Sequence, residues 1–253
     1  MFLLAVQSHR GQRWENAALE AANYPGDRPE LLRLVSVGSL AGALVLVILI
    51  ALIRRRVDLA LRAGAVIALS SLAGQLLKYE LLDRPPLSAL TSDNTFPSGH
   101  AIAFTCVLAG LAIVLPPTLR TIIIVPATAV VALAYVQLLA FGWHRLSDVL
   151  GALLLVFGVH TLVALAWPGP ERIERTGILD RISSRIFLAV GLLILIIAGI
   201  FTLLYIGDLL ASNDTLLLTT QIAAVGALVT AVGVALLNPP TGRDSRGASG
   251  HVR

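Results

Sequence analysis

Long apolar runs, separated by short polar stretches, dominate the chain. They cover 32–53, 57–77, 98–115, 119–141, 148–167, 186–206 and 215–237. Each comes close to the roughly 20 residues a helix needs to cross a hydrocarbon core. A backbone exposed to lipid must satisfy its own hydrogen bonds, which leaves helices or closed barrels. Barrel strands alternate in polarity over short segments, and these runs do not. The pattern therefore predicts an all-α, polytopic membrane helical bundle of about seven transmembrane spans.

Around the spans, the organisation follows from the breaks. Residues 1–31 form a polar N-terminal segment; Met1–Val6 is too short for a signal-peptide core and lacks a basic start. Residues 32–167 form a core, 168–185 a charged loop, and 186–237 two additional spans without an assigned role. The Arg/Gly/Ser-rich 238–253 is expected to be a disordered tail.

Composition agrees. Of 253 residues, 57% are hydrophobic and 13% charged, against about 25% charged in soluble domains. The net charge of +4 does not predict a nucleic-acid partner, because the arginines cluster at the ends of apolar runs. Seven spans put the loops at 54–58, 116–120 and 168–185 on one side with the tail. That side carries Arg54, Arg55, Arg56, Arg120, Arg172, Arg175, Arg181 and Arg185, and the positive-inside rule makes it cytoplasmic. Loops 78–97, 142–147 and 207–214 are then extracytoplasmic, on a multi-pass protein of the cell membrane. The one cysteine, Cys106, lies within an apolar run and is read as a packing residue. A disulfide within the chain and a cysteine-based metal site are both ruled out.

Three polar clusters interrupt the pattern, all on the predicted outer side. The first holds Lys78, the only lysine, with Arg84, Pro85 and Pro86. Two cations there suit an anionic ligand with several oxygens, although interfacial anchoring also accounts for them. The second is Pro97-Ser98-Gly99-His100, opening a span. Ser98 is a natural N-cap, the first-turn N–H groups form an anion site, and Gly99 permits close approach. Ordinary capping accounts for this cluster taken singly.

The third cluster runs from Gly142 to Asp148. On a helix His144 and Asp148, four apart, share a face. A carboxylate on one ring nitrogen fixes the tautomer and raises the basicity of the other, which prepares a nucleophile. Ionisable groups near hydrocarbon are costly and mark function. Together the clusters supply cations, N–H donors, a nucleophile and a general acid for transfer of an anionic group.

These clusters resemble the three-part signature of the type 2 phosphatidic acid phosphatases, or lipid phosphate phosphatases: Lys, six residues, Arg-Pro; Pro-Ser-Gly-His; and Ser-Arg, five residues, His, three residues, Asp. The resemblance covers about 57–167. It implies a metal-free, cofactor-free helical membrane phosphatase acting on a membrane lipid phosphate or isoprenoid diphosphate. It implies phosphate binding by Lys78, Arg84, Ser98 and Gly99. It further implies attack by His144 to form a phosphohistidine, with Asp148 orienting its ring and His100 protonating the leaving alkoxide.

Two departures stand out. Five residues separate Lys78 from Arg84, and the Ser-Arg positions of the third motif hold Gln137 and Leu138. Leu138 cannot bind phosphate. Arg145 can replace that cation only if its turn is not helical, because helical neighbours point about 100° apart. The alternative is therefore a catalytically impaired relative that binds or moves phospholipid. A transporter subunit that attracts anions is disfavoured by the few polar residues within the spans. A vanadate-dependent peroxidase would need a soluble bulk that the apolar runs do not leave room for.

Other residues take plainer roles. His160 lies about three turns beyond Asp148, roughly 18 Å along a helix, and is assigned to packing. Trp143, Trp167 and Tyr205 read as interfacial aromatics. Gly38 and Gly42 are spaced for close helix contact. Asp93 and Asn94 are expected to shape the loop before Pro97, and Arg172, Glu174 and Arg175 a solvated loop. Nothing in the sequence specifies an oligomeric state.

Overall fold

The computed structural model describes residues 2–22, 37–87, 94–167 and 178–237. Asp93, Arg172, Glu174, Arg175 and the tail lie outside them. The described residues form helices and no strand: α1 (Phe2–Ala5), α2 (His9–Ala21), α3 (Val37–Ile53), α4 (Val57–Leu76), α5 (Gly99–Val114), α6 (Pro117–Ala140), α7 (Leu146–Ala166), α8 (Ile178–Ile206) and α9 (Asn213–Leu237). Five helices are long and apolar enough to cross a membrane, in α4, α6, α7, α8 and α9; shorter apolar helices occupy Ala41–Ile53 and Gly99–Val114. The bundle expected from the apolar runs is thus present. The polar N-terminal segment holds α1 and α2, and α8 starts at Ile178, inside the stretch read as loop.

Helix α5 is the centre. It packs against α3, α4, α6 and α7, and Ala101, Cys106, Leu108, Ala109 and Val114 are buried. Its 16 residues rise only about 24 Å, less than a hydrocarbon core, and its neighbours shield it from lipid. Water exclusion does not drive helices together inside a bilayer; close packing of small residues and dispersion do. Cys106 is a fully buried part of this core, as expected. A polar link near its centre, Thr105 Oγ1 to Tyr135 Oη at 2.5 Å, joins α5 to α6.

Helices α8 and α9 form an antiparallel hairpin against α6, α7 and α2. A Cβ on Gly191 would stand 2.6 Å from the Thr230 main-chain nitrogen, so glycine sets how closely the two helices approach. The outer face of α8 exposes Ile186, Val190, Leu193, Ile196, Ile200 and Leu203. An apolar face turned outward suits lipid as the surrounding solvent and multi-pass insertion.

The two ends of the bundle differ. At one end arginines cap helix ends: Arg54 donates to the Val114 carbonyl, Arg62 to Trp167 O at 2.5 Å and Arg120 to Leu115 O at 3.1 Å. Cations suit carbonyl-rich helix C-termini. The opposite end gathers the C-terminus of α4, the N-terminus of α5, the α6–α7 turn and α2. All three polar clusters lie there.

Candidate active site

Lys78 sits on a single π-helical turn, Leu77–Leu81, that finishes α4. Such widened turns recur at functional sites. Asn94 fastens the following loop: its Nδ2 donates to Lys78 O at 3.1 Å and Leu82 O at 2.6 Å, and its Oδ1 accepts from Phe96 N–H. Phe96 then lies on Gly151 of α7, where a Cβ would come within 2.3 Å of the ring. The Phe96–Pro97 bond is cis. Ser98 is fully buried; its Oγ accepts from Ala101 N–H at 3.2 Å and caps α5. The first i→i−4 bond of α5 runs from Ile102 N–H to Ser98 O, so the Gly99 and His100 N–H groups precede it.

Helix α6 ends in a Schellman motif. Gly142 N–H donates to Leu139 O and Trp143 N–H to Leu138 O, a pairing that needs a left-handed residue. Gly142 supplies it at φ +66°. His144 and Arg145 therefore precede α7, which begins at Leu146. The helical face expected for His144 is absent, yet the bend brings the same pair together: His144 Nδ1 lies 3.5 Å from Asp148 Oδ2.

Asp148 is the hub. Its carboxylate accepts from Thr95 Oγ1 at 2.6 Å, from Arg145 N–H at 3.0 Å and from Arg84 at 3.1 Å. Its main-chain carbonyl accepts from Ser98 N–H at 3.0 Å. Asp148 is fully buried. A buried carboxylate needs this many donors, because an unpaired one is very costly to desolvate.

Beside this hub lies a cavity of about 550 Å3, lined by Lys78, Tyr79, Gly99, His100 and His144, with Ala41, Leu44 and Ile102 among its apolar walls. The His100 and His144 ring centroids are 6.1 Å apart, and Trp143 flanks His100 at 6.0 Å. With Nδ1 turned to Asp148, Nε2 of His144 is the nitrogen left for the cavity. A point cation, a helix N-terminus and two imidazoles around one space can hold a tetrahedral oxyanion.

The remaining sequence-derived residues stand behind this space. Ser98 shapes the α5 turn, and Asp148 backs His144. Arg84, expected at the phosphate, is not among the residues lining the cavity; its guanidinium bonds Asp148 and lies 3.5 Å from Glu15 Oε2. Leu138 is fully buried in the core. Arg145, though not helical, is also turned away: its Nε and Nη2 donate to Asn16 Oδ1 at 3.3 and 3.1 Å. His160 sits beside Phe157, with ring centroids 6.3 Å apart, in keeping with packing.

Thr95, Glu15 and Asn16 were not singled out from the sequence. Glu15 Oε1 accepts from Ser147 N–H at 3.0 Å, at the start of α7. Burial, with the nearby Asp148 charge adding to it, pushes the Glu15 carboxyl above its ordinary pKa. Among the described residues no group of three or more His, Cys, Asp or Glu is placed to hold a metal ion.

The family model described as PAP2 superfamily matches residues 59–172. That stretch runs from the first turn of α4 through α7 and contains Lys78, Arg84, Ser98, Gly99, His100, His144 and Asp148; α2 lies outside it. Neither a curated protein nor a solved structure matches the chain. Residues 59–172 are thus similar to the PAP2 superfamily, and the matched stretch is the one that brings the motif residues to one end of the bundle.

Proposed function

We propose that this protein is a membrane phosphatase that hydrolyses a lipid phosphate or isoprenoid diphosphate at the extracytoplasmic face, through a phosphohistidine at His144. One observation carries the proposal: His100 and His144 face one cavity with Lys78 and the Gly99 turn, while Asp148 backs His144. The Nε2 lone pair attacks the terminal phosphorus and its P–O bond breaks, towards the lipid alkoxide in a monophosphate or the lipid monophosphate in a diphosphate. His100 gives its proton to the leaving oxygen, and Asp148 offsets the positive charge gained by the His144 ring. Water then attacks the N–P bond, His100 takes the water proton, and inorganic phosphate leaves. Lys78 and the α5 N–H groups neutralise charge on the phosphoryl oxygens. Preorganised donors of this kind are each worth roughly 3–4 kcal/mol in a transition state.

The apolar walls favour a lipid substrate. Ala41, Leu44, Gly74 and Ile102 give a hydrocarbon chain somewhere to lie while its phosphate meets the histidines. The outward orientation rests on the basic opposite end of the bundle.

The test is phosphate release from a panel of lipid monophosphates and diphosphates by purified protein, alongside His144→Ala. Release that requires His144, is blocked by vanadate and persists in chelator is the expected result. Release unchanged in His144→Ala removes the nucleophile.

Leu138 in place of the family cation, and Arg84 held by Asp148 and Glu15, favour a second reading: a relative that binds phospholipid without turning it over. Lipid binding with no release from any panel member would establish it.

A further inference from the structure

We infer, on the basis of the phosphatase reading above, that Glu15 is a positioning residue of the active site, supplied by a helix outside the matched PAP2 segment. Glu15 meets the site at two points. Its Oε1 takes the Ser147 N–H, next to Asp148. Its Oε2 faces Arg84 at 3.5 Å, and Arg84 bonds the other end of the Asp148 carboxylate. The carboxylate of Asp148 in turn backs the His144 ring. The chain of contacts Glu15–Arg84–Asp148–His144 thus ties α2 to the nucleophile without touching the cavity.

Burial makes this arrangement specific. The Glu15 side chain is 10% exposed and that of Arg84 4%. Arg84 between two carboxylates is shared, so Glu15 limits how far it draws charge from Asp148. Asn16, the next residue, accepts from the Arg145 guanidinium at 3.1 Å, so two successive residues of α2 each meet an arginine of the site. The charged groups around Glu15 include Arg84, Asp148 and Arg145, with Arg10 of the same helix lining a pocket beside it. On the α9 side its neighbours include Thr219 and Thr220, which are uncharged.

Orthovanadate, a tetrahedral oxyanion that does not depend on knowing the lipid, is the probe. Glu15→Gln keeps an oxygen for Ser147 N–H but removes the charge. If Glu15 positions the site, vanadate affinity falls about tenfold in E15Q, and phosphate release at saturating substrate falls with it while KM holds. Glu15→Asp keeps the charge on a shorter arm and recovers part of both; it also serves if E15Q does not fold. Unchanged affinity in E15Q overturns the inference. So does tighter binding, the result expected if Glu15 acted only by repelling the anion or by holding Arg84 away from it. These outcomes are separable from failure of the phosphatase reading. Vanadate binding that His144→Ala leaves intact, or that the wild type lacks, removes the site itself and the inference with it.

Discussion

Arg84 and His144 take opposite oxygens of one carboxylate: Arg84 Nη2 lies 3.1 Å from Asp148 Oδ1, and His144 Nδ1 lies 3.5 Å from Oδ2. The cation expected to grip phosphate therefore stands one residue behind His144, the proposed nucleophile. On the proposed function any effect of Arg84 passes through Asp148, and Lys78 is left as the side-chain cation lining the cavity.

Asp148→Asn should lower phosphate release by at least about 100-fold, since an amide neither fixes the ring nor offsets its positive charge. It should also destabilise the fold by about 3 kcal/mol, because Arg84 loses the charge it is buried against. Release assays and the melting midpoint in detergent check both parts. A midpoint that drops with full activity retained would contradict the catalytic half.

Thr95→Val removes the 2.6 Å bond to Asp148 with little change of shape. Hydrogen bonds to charged groups contribute about 1.5–3 kcal/mol, so a loss in that range is expected together with an approximately tenfold fall in release. Thr95→Ser should restore most of both, which separates the hydroxyl from packing.

Restoring the family cation by Leu138→Arg should not raise activity. Leu138 is fully buried, and an unpaired charge there costs several kcal/mol. The expected result is loss of folded, monodisperse protein in size-exclusion chromatography. An L138R variant that folds and turns over faster than wild type would show that the side chain can reach the cavity.

Glu15 should make stability depend on pH. Its folded pKa is raised by burial, so its contribution is fully present below the unfolded carboxyl pKa and is lost as pH rises through the folded value. The amide of E15Q does not titrate. The melting midpoint of wild type minus that of E15Q should therefore shrink as pH rises from the acid range towards neutrality. A difference independent of pH would contradict this.

The sequence made legible whatever depends on neighbours along the chain. Apolar runs located the helices, and Ser98 before Gly99 predicted the capped turn at the start of α5. The spacing of His144 and Asp148 pointed to their pairing, although the pair forms through the bend after Gly142 and not on a helical face. What remained hidden depends on distant pairing. Glu15 meets Ser147, and Asn16 meets Arg145, over sequence separations of 132 and 129 residues. The alanine-rich side of α2 gives a weak apolar stripe in a polar segment. The direction taken by Arg84 was equally invisible, because an arginine beside Pro85 can face an anion or a carboxylate until the carboxylate is placed.

The bond from Ser98 N–H to Asp148 O joins main chain to main chain. The spacing between the helix end that would receive the oxyanion and the residue that backs His144 is consequently insulated from almost every side-chain replacement. Only proline at position 98 deletes the donor outright. Apolar wall residues such as Leu44 and Ile102 can be exchanged without retuning the separation on which the proposed phosphoryl transfer would depend.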